Sequence, residues 1–271
     1  MAEPTALRPR ALSIAGSDPG GGAGIQADLK TFGALGVFGM TAITAVTVQN
    51  TRGVSGYEAL SPETVAEQIR AVVTDIGVDA AKTGMLASAA IIRAVADAVG
   101  ELAIPNVVVD PVFLSKHGHA LLAEDAVDEL RERILPLATL VTPNLPEAGG
   151  LAGFEVTSRD LMEDAAEAIA AMGPRAVLVK GGHLEGSAGA DDVLFDGQAM
   201  TWIDGERIAT VHTHGTGCVL SSAIAAHLAR GEALVDAVGL GKAFVTEAIR
   251  HALALGRGIG PVDPLWGIPP G

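Results

Sequence analysis

The run Ala11-Leu12-Ser13-Ile14-Ala15-Gly16 is followed by a glycine turn over Gly20–Gly24 and by a largely apolar stretch over 25–35. The short apolar run predicts a buried β-strand, the glycines predict a tight turn, and residues 25–35 predict a helix. A strand that leads directly into a helix is the repeating unit of α/β proteins. This stretch therefore decides the fold class, provided that the same pattern recurs downstream.

The alternation of strands and helices does recur along the chain. Further strands are predicted at Thr41–Val48, Ala80–Met85, Val107–Asp110, Leu140–Thr142 and Ala176–Lys180, with a hairpin around Asp196-Gly197. Further helices are predicted to follow the N-cap Ser61 and to span Ser88–Val99, Glu124–Leu135, Ser158–Met172, Gly217–Ala229 and Ala233–Leu255. We therefore predict an α/β fold with a mostly parallel, Rossmann-like sheet and helices on both faces.

The domain organisation predicted from this pattern is simple. No proline- or serine-rich linker interrupts it, so we expect one domain over residues 11–271 after a flexible segment over 1–10. Met1–Arg10 lacks the apolar stretch of a signal peptide. No run reaches the roughly 18 uninterrupted apolar residues of a membrane helix. The sequence thus predicts a protein without a membrane partner.

Composition narrows the classes of partner. The chain has 271 residues and a formal net charge of −14, whereas nucleic-acid binding needs clustered Lys and Arg. We therefore expect no nucleic-acid partner and attribute the charge to solubility. Hydrophobic residues make up 49% and aromatic residues 3%, which predicts a core of Ala, Val, Leu and Ile. The single cysteine excludes an intramolecular disulfide and is typical of a reducing cytoplasm.

Polar groups follow the predicted strands, at the sheet edge where open α/β folds bind ligands. The first group is the loop Gly16–Gly24, which has five glycines among nine residues. A plain tight turn needs fewer, so the loop favours close approach of the backbone to a ligand. The second strand ends in Gln49-Asn50 rather than in an acidic residue, which disfavours an NAD-dependent oxidoreductase. The paired amides of Gln49 and Asn50 suit a neutral heterocycle, and the alternative for Gln49 is a cap at the strand end.

Three charged residues follow later strands. Asp110 and Glu147 are carboxylates of the kind that hold Mg²⁺, directly or through water. Glu147 could instead be an acidic residue that complements the dipole of a helix first turn. Lys180 ends a buried strand beside two glycines, where it can contact phosphate oxygens or remain solvated.

The run Thr213-His214-Gly215-Thr216-Gly217-Cys218 leads into an apolar, Ala-rich stretch. A glycine turn that opens a helix offers backbone N–H groups to phosphate. We expect the helix N-terminus to lower the pKa of Cys218 and to make the thiol reactive, in contrast to an inert buried cysteine. His214 has a structural and a ligand-binding interpretation. Together the strand ends predict phosphoryl transfer.

The ordered set of motifs resembles a known family. Over about residues 11–261 the chain is similar to the hydroxymethylpyrimidine/phosphomethylpyrimidine kinases of thiamine biosynthesis, in the ribokinase-like superfamily. The motifs that carry the resemblance are Ile14–Asp18, Gly22–Lys30, Gln49–Thr51, Lys82–Leu86, Asp110–Val112, Thr142–Ala148, Lys180–His183 and His214–Cys218. Each motif is moderately specific, and their order makes the set highly specific.

The resemblance implies a role for each matched residue. Gln49 would read the pyrimidine, and Gly16, Asp28 and Met85 would line its pocket. Lys180, Asn144 and Lys242 would bind the nucleotide, and Asp110 and Glu147 would hold or support Mg²⁺. Gly215, Thr216 and Gly217 would form an anion hole. Cys218 stands where many ribokinase-like enzymes carry an aspartate base, so it would deprotonate the substrate hydroxyl or position it while the phosphate accepts the proton.

Two stretches depart from the family pattern. Phe113–His119 replaces a common Lys-Ser-Gly-Asp run, in the loop expected to cover the second phosphate. Residues Ala209–His212 also differ from the usual approach to the glycine turn. The first of these departures concerns the handling of the phosphorylated pyrimidine.

The resulting functional prediction is a cytoplasmic kinase that uses ATP and Mg²⁺. Its substrates would be 4-amino-5-hydroxymethyl-2-methylpyrimidine and the monophosphate of that compound, and the family implies a homodimer. The alternative is a pyridoxine/pyridoxal kinase of the same fold. A nucleotide-binding regulatory module without catalysis is a third class, against which Asp110, Glu147, Lys180 and Cys218 argue.

Overall fold

The computed structural model describes residues 8–113, 124–182, 184 and 189–268. Its strands are β1 (Arg10–Ser17), β2 (Phe38–Asn50), β3 (Gly53–Ala59), β4 (Ala80–Thr83), β5 (Val107–Val109), β6 (Leu140–Val141), β7 (Val177–Lys180), β8 (Asp192–Phe195) and β9 (Met200–Ile203). Its α-helices are α1 (Gly24–Ala34), α2 (Pro62–Asp75), α3 (Ala89–Glu101), α4 (Glu124–Glu129), α5 (Leu145–Ala152), α6 (Arg159–Ala170), α7 (Thr216–Ala229) and α8 (Leu234–Arg250).

The described strands form one sheet in the order β3-β2-β1-β4-β5-β6-β7-β8-β9. The six strands from β2 to β7 in this order run parallel, and β3, β8 and β9 pair antiparallel at the two edges. The chain moves from β1 to β2 on one side and later to β4 on the other. This reversal leaves a crevice at the carboxyl ends of β1 and β4, where ligands of such sheets bind.

Two apolar layers cover the sheet. One face packs against α2, α3 and α6, and the other against α1, α7 and α8. Side chains of β1 alternate between them, since Leu12 and Ile14 lie in the first layer and Ala11 lies in the second. Buried Val, Leu, Ile and Ala fill both layers, as the composition predicts. No helix of the described residues is long and apolar enough to cross a membrane.

The α/β class, the parallel sheet and the hairpin of β8 and β9 confirm the sequence prediction, while some elements differ. The sequence prediction lacked the edge strand β3 and the short helix α5. The single helix expected over Glu124–Leu135 is α4, then a π-helical turn over Leu130–Ile134 and a 3₁₀ turn over Leu135–Leu137. Helix α8 ends at Arg250 because the chain then turns back, and the N–H of Leu253 donates to the carbonyl of Pro261.

Local sequence accounts for the starts of three helices. Ser61, Ser88 and Ser158 each accept a hydrogen bond from the backbone three residues on, and Pro62 fills the first position of α2. The single-domain organisation over 11–271 stays a prediction. The N-terminal segment expected to be flexible lies mostly outside the described residues.

Candidate active site

A cavity of about 780 Å³ lies at the carboxyl ends of the parallel strands. Its lining includes the ends of β1, β2, β4 and β7, the residues after β5 and β6, the first turn of α7 and one face of α8. Of the residues assigned to the site from the sequence, all but Asp28 line this cavity. A second cavity, of about 770 Å³, lies beside α5 and includes none of those residues in its lining.

Three of the residues predicted to form the ring pocket lie together in the structure. Gly16, Gln49 and Met85 all line the cavity, and a Cβ atom on Gly16 would lie 3.3 Å from the Met85 sulfur. Both Gly16 and Gln49 lie at irregularities of strand register, between Ala15 and Ser17 in β1 and after Val48 in β2. Bulges of this kind re-aim side chains beside active sites, and sequence patterns do not reveal them.

Asp28 requires a correction. The sequence placed it in the pocket wall, but its carboxylate is fully buried behind the cavity. It pairs with the ammonium of Lys82, at 3.1 Å to one oxygen and 3.2 Å to the other. Asp28 projects from α1 toward β4, so Lys82 already neutralises its carboxylate before any ligand binds.

The glycine loop after β1 is built around Asp18, to which the sequence reasoning gave no role. Its buried carboxylate accepts hydrogen bonds from the N–H groups of Gly20, Gly22 and Ala23, at 2.7, 3.1 and 2.9 Å. Burial favours the neutral acid, but the bonds from His214 and the loop amides outweigh burial and lower the pKa of Asp18. The sequence signal was Asp followed by Pro-Gly-Gly, since aspartate side chains bind backbone N–H groups of the turn that they open.

His214 joins this loop to the second glycine turn. Its Nε2 lies 2.9 Å from Oδ2 of Asp18, which gives the ring the structural partner that the sequence left open. Gly215 has a φ of 83°, and a Cβ atom there would overlap the carbonyl oxygen of Gly22. The two loops therefore touch through backbone, and only glycine fits at the contact.

The second turn opens α7 as predicted. Gly215 is its N-cap, and Thr216, Gly217 and Cys218 form its first turn at the cavity wall. The first N–H groups of a helix have no partner within the helix, and they carry partial positive charge. This geometry supplies a binding surface for an anion.

The expected chemistry of Cys218 is wrong in one respect. Burial raises the pKa of the thiol to about 11, and Asp28 and Asp110 act in the same direction. The positive charge of Lys82 and the N–H of Gly24 oppose them without prevailing. Proximity to a helix N-terminus therefore does not make this thiol acidic, because enclosure by carboxylates and apolar atoms has the larger effect.

A charged cluster lies opposite α7. Nζ of Lys180 donates to Oδ1 of Asp110 at 2.9 Å, so the two residues assigned to phosphate and metal are paired with each other. Burial opposes the charge on Lys180, but Asp110 and Glu147 prevail and raise the pKa of its ammonium. A Cβ atom on Gly217 would lie 3.4 Å from Asp110 and 3.5 Å from Lys180. The cluster therefore lies against the anion-binding turn.

Glu147 lies in the first turn of a helix, as one of its two interpretations expects. It forms a capping box with Asn144 at the start of α5, in which the N–H of Asn144 donates to Glu147 and the N–H of Glu147 donates to Asn144, both at 2.9 Å. It also lines the cavity. Burial raises its pKa to about 7, against the effect of Lys180 and with that of Asp110. At neutral pH this carboxyl can gain or lose a proton.

Lys242 of α8 lies at another end of the cavity. Its Nζ donates to Oδ2 of Asp192 and to the carbonyl of Ala190, both at 2.6 Å. Two apolar residues of α8 that follow Lys242 in the sequence also line the cavity, namely Val245 and Ile249. This end combines one cation with an apolar wall.

Two predicted features fall outside the described residues. One is His183, the last residue of the Lys180–His183 motif. The other is the loop Phe113–His119, which departs from the family pattern and of which the structure describes only Phe113.

Two solved structures of the same fold are named as small-molecule kinases. The ADP complex of Bacillus subtilis pyridoxal kinase has a TM-score of 0.87 and 40% identity, over 96% of this chain and 98% of that chain. Phosphomethylpyrimidine kinase from Clostridium difficile 630 has a TM-score of 0.79 and 43% identity, over 89% and 99%. The fold and the cavity define the class as a ribokinase-like phosphotransferase, which confirms the fold class predicted from the sequence.

Sequence comparisons narrow this class to a family. The profile described as Phosphomethylpyrimidine kinase matches residues 18–263. The hydroxymethylpyrimidine/phosphomethylpyrimidine kinase of Mycobacterium tuberculosis H37Rv is 54% identical over 268 residues, which cover 98% of this chain and 97% of that protein. The chain belongs to the phosphomethylpyrimidine kinase family.

Proposed function

We propose that the protein transfers the γ-phosphoryl group of ATP to 4-amino-5-hydroxymethyl-2-methylpyrimidine, and then a second phosphoryl group to the monophosphate, in thiamine biosynthesis. The observation that carries the proposal is one cavity in which Gln49 and Met85 lie with Cys218 and the Asp110–Lys180 pair. Membership of the family and the ADP complex of the Bacillus subtilis structure support ATP as the phosphoryl donor.

The proposed reaction is an in-line displacement. The hydroxymethyl oxygen of the pyrimidine forms a bond to the γ-phosphorus, the bond from phosphorus to the β–γ bridging oxygen breaks, and ADP leaves. The N–H groups of Gly217 and Cys218 and the ammonium of Lys180 stabilise the charge on the transferring group. Lys242, beside an apolar wall, is the proposed contact for the nucleotide, and Asn144 fixes the helix start that holds Glu147.

Cys218 is the proposed partner of the substrate hydroxyl. With a thiol pKa of about 11, the side chain is protonated in the unliganded protein at neutral pH. This supports a positioning role, in which the sulfur holds the hydroxyl in line while its proton passes to the phosphoryl oxygens. The base role, in which a thiolate takes the proton, requires that bound substrate change the balance of charges around the sulfur.

Mg²⁺ is part of the proposal. The described residues hold no cluster of three or more metal-ligating side chains, but Mg²⁺ is usually held by one or two carboxylates together with substrate phosphates. Asp110 and Glu147 fit that donor set, because both are carboxylates that line the cavity. When bound, the ion neutralises phosphate charge. Lys180, already paired with Asp110, holds that carboxylate in place for the ion.

A pyridoxal kinase is the second candidate, favoured by the TM-score of 0.87 to the Bacillus subtilis enzyme of that name. Both proposed substrates are small rings with a hydroxymethyl group. A coupled assay of ADP release with the pyrimidine alcohol, its monophosphate and pyridoxal in parallel separates them. We expect the highest kcat/KM for the two pyrimidines. A clear preference for pyridoxal would support the second candidate, and no ADP release with any ring would contradict both.

A cytoplasmic homodimer is the proposed state of the enzyme. The edge hairpin of β2 and β3 supports self-association, because Val46, Val48 and Tyr57 are 47%, 63% and 41% exposed there. Exposed apolar side chains along a sheet edge are typical of interfaces. Sedimentation of the wild type and of Val48→Asp tests this. We expect a dimer that Val48→Asp weakens, and a monomeric wild type would contradict it.

A further inference from the structure

An ion pair lies beneath the cavity and has no part in the function proposed above. Lys82 of β4 and Asp28 of α1 are both fully buried. The carboxylate of Asp28 also accepts from the hydroxyl of Ser13 at 2.5 Å and from that of Ser222 at 2.7 Å. Burial of two charges costs several kcal/mol per ion, and apolar side chains of equal volume often serve a fold as well. The charges therefore need an explanation beyond packing.

The ammonium of Lys82 reaches the cavity. Lys82 belongs to the cavity lining, whereas Asp28 does not. An ammonium has three donors, and among the described residues Asp28 is its one hydrogen-bond partner. Gly84 leaves the space that the ammonium needs, since a Cβ atom there would lie 3.0 Å from Nζ. The structure thus places a positive charge at the floor of the cavity.

The same pair is tied to the helix turn that carries the thiol. Ser222 follows Cys218 by four residues in α7, so both lie on one face of the helix. The bond from Ser222 to Asp28 therefore holds the carboxylate against that face. The N–H of Gly24 at the start of α1 acts to lower the pKa of the thiol, as Lys82 does.

Charged groups on three elements act on the pKa of Cys218. Lys82 lies on β4, Asp28 lies on α1, and Asp110 follows β5, while the first turn of α7 itself has no acidic residue. Lys82 favours the thiolate, and the two carboxylates disfavour it. Asp28 and Lys82 are paired with each other, but they shift the pKa of the Cys218 thiol in opposite directions.

We propose that Lys82 and Asp28 are a positioning pair that sets the thiol–thiolate balance of Cys218. Lys82 supplies the charge that stabilises the thiolate, and Asp28 offsets that charge and adds to the effect of burial, which favours the thiol. The inference rests on the proposed function in one respect, because the proposed function places Cys218 beside the substrate hydroxyl. The charge effect itself is a property of the folded protein and is measurable without any substrate.

Alkylation of the thiol tests the proposal, because Cys218 is the only cysteine in the chain. Iodoacetamide reacts with the thiolate, so its rate at pH 9 follows the thiolate fraction. We expect Lys82→Met to react about tenfold more slowly than the wild type and Asp28→Asn about tenfold faster, which corresponds to shifts of about one pH unit in opposite directions. The double variant should return toward the wild-type rate.

A second ion pair provides the matched control. Arg10 and Asp79 join β1 to the residue before β4 at 2.8 Å, at the opposite ends of these strands from the cavity. Arg10→Met and Asp79→Asn remove the same charges and should leave the alkylation rate unchanged. Circular dichroism identifies the variants that fold. If Lys82→Met unfolds, the alkylation rates of Asp28→Asn and of the neutral double variant are compared instead.

The outcomes separate this inference from the proposed function. Folded Lys82→Met and Asp28→Asn variants that change the rate in the same direction, or not at all, would overturn the pair's role even if the kinase assay succeeds. Opposite changes of rate in a protein that phosphorylates neither ring would leave the pair's effect on the thiol intact and contradict the proposed function alone.

Discussion

Nζ of Lys180, at the end of β7, lies 2.9 Å from Oδ1 of Asp110, which follows β5, and β6 separates these two strands in the sheet. The contact spans two strand spacings because both side chains extend over the end of the short strand β6. It gathers a cation and a carboxylate at the cavity wall next to Gly217. Phosphate, metal and transferring group would meet at this point in the proposed reaction.

Lys180→Met should lower kcat by about 100-fold or more, because a fixed cation is lost where charge develops on the phosphoryl group. Steady-state kinetics with varied ATP and pyrimidine measures the effect. Arg70→Met removes an exposed cation of α2 and is the control, with unchanged kinetics expected. Normal turnover by Lys180→Met would remove the lysine from the proposed mechanism.

Cys218→Ala should lower kcat far more than it weakens ATP binding, because the sulfur is assigned to the hydroxyl and not to the nucleotide. Cys218→Ser keeps a group that can hold the hydroxyl by a hydrogen bond, so we expect it to retain more activity than Cys218→Ala. Rapid-quench kinetics and ATP titration measure the two quantities. Equal, complete loss in both variants would favour the base role, and unchanged turnover would make the thiol structural.

Gln49→Ala should mainly raise KM for the pyrimidine, since its amide lines the cavity without a hydrogen bond to another described side chain. Loss of an amide that pairs with a ring typically costs about 1 to 3 kcal/mol, or about fivefold to 150-fold in kcat/KM. KM for ATP should stay within about twofold. An effect confined to ATP would refute the pocket assignment.

Glu147→Gln should change how stability depends on pH. Burial raises the folded pKa of Glu147 from 4.5 to about 7, so the folded state binds more protons than the unfolded state in this window. Wild-type stability should therefore fall as pH rises from 4.5 to 7, by about 3 kcal/mol from this group. Gln keeps the capping acceptor but does not titrate, so the variant should lack this loss.

Urea unfolding of the unliganded protein at pH 5 and pH 8 measures that difference between wild type and variant. Glu63→Gln is the control, because Glu63 is an exposed acid in the first turn of α2. It should show the wild-type dependence on pH. The same dependence in Glu147→Gln would mean that Glu147 titrates alike in both states.

Gly215→Ala should destabilise the protein by about 2 kcal/mol or more, because a Cβ atom would overlap the backbone of Gly22 at a φ of 83°. Gly33→Ala is the matched control in α1, where a Cβ atom would meet nothing within 4 Å. It should stabilise by about 0.5 to 1 kcal/mol. Thermal unfolding of both variants provides the comparison, and equal changes would contradict the proposed contact.

The fold class and most of the strand and helix positions could be predicted from the residues alone, because hydrophobic periodicity and capping residues act locally. The strand-end rule then placed Gly16, Gln49, Asp110, Lys180 and Cys218 at one edge, and the structure brings them to one cavity. Ordered motifs gave the family. These inferences needed no knowledge of which side chains touch.

The partners of those side chains depend on how distant parts of the chain pack together. Asp28 lies behind the cavity, Asp18 orders the first loop and binds His214, and Lys180 is paired with Asp110. Protonation followed from packing too, since enclosure and neighbouring carboxylates outweigh the helix N-terminus at Cys218 and raise the pKa of its thiol. Desolvation and charge act between residues far apart in the chain, and local sequence patterns do not encode those distances.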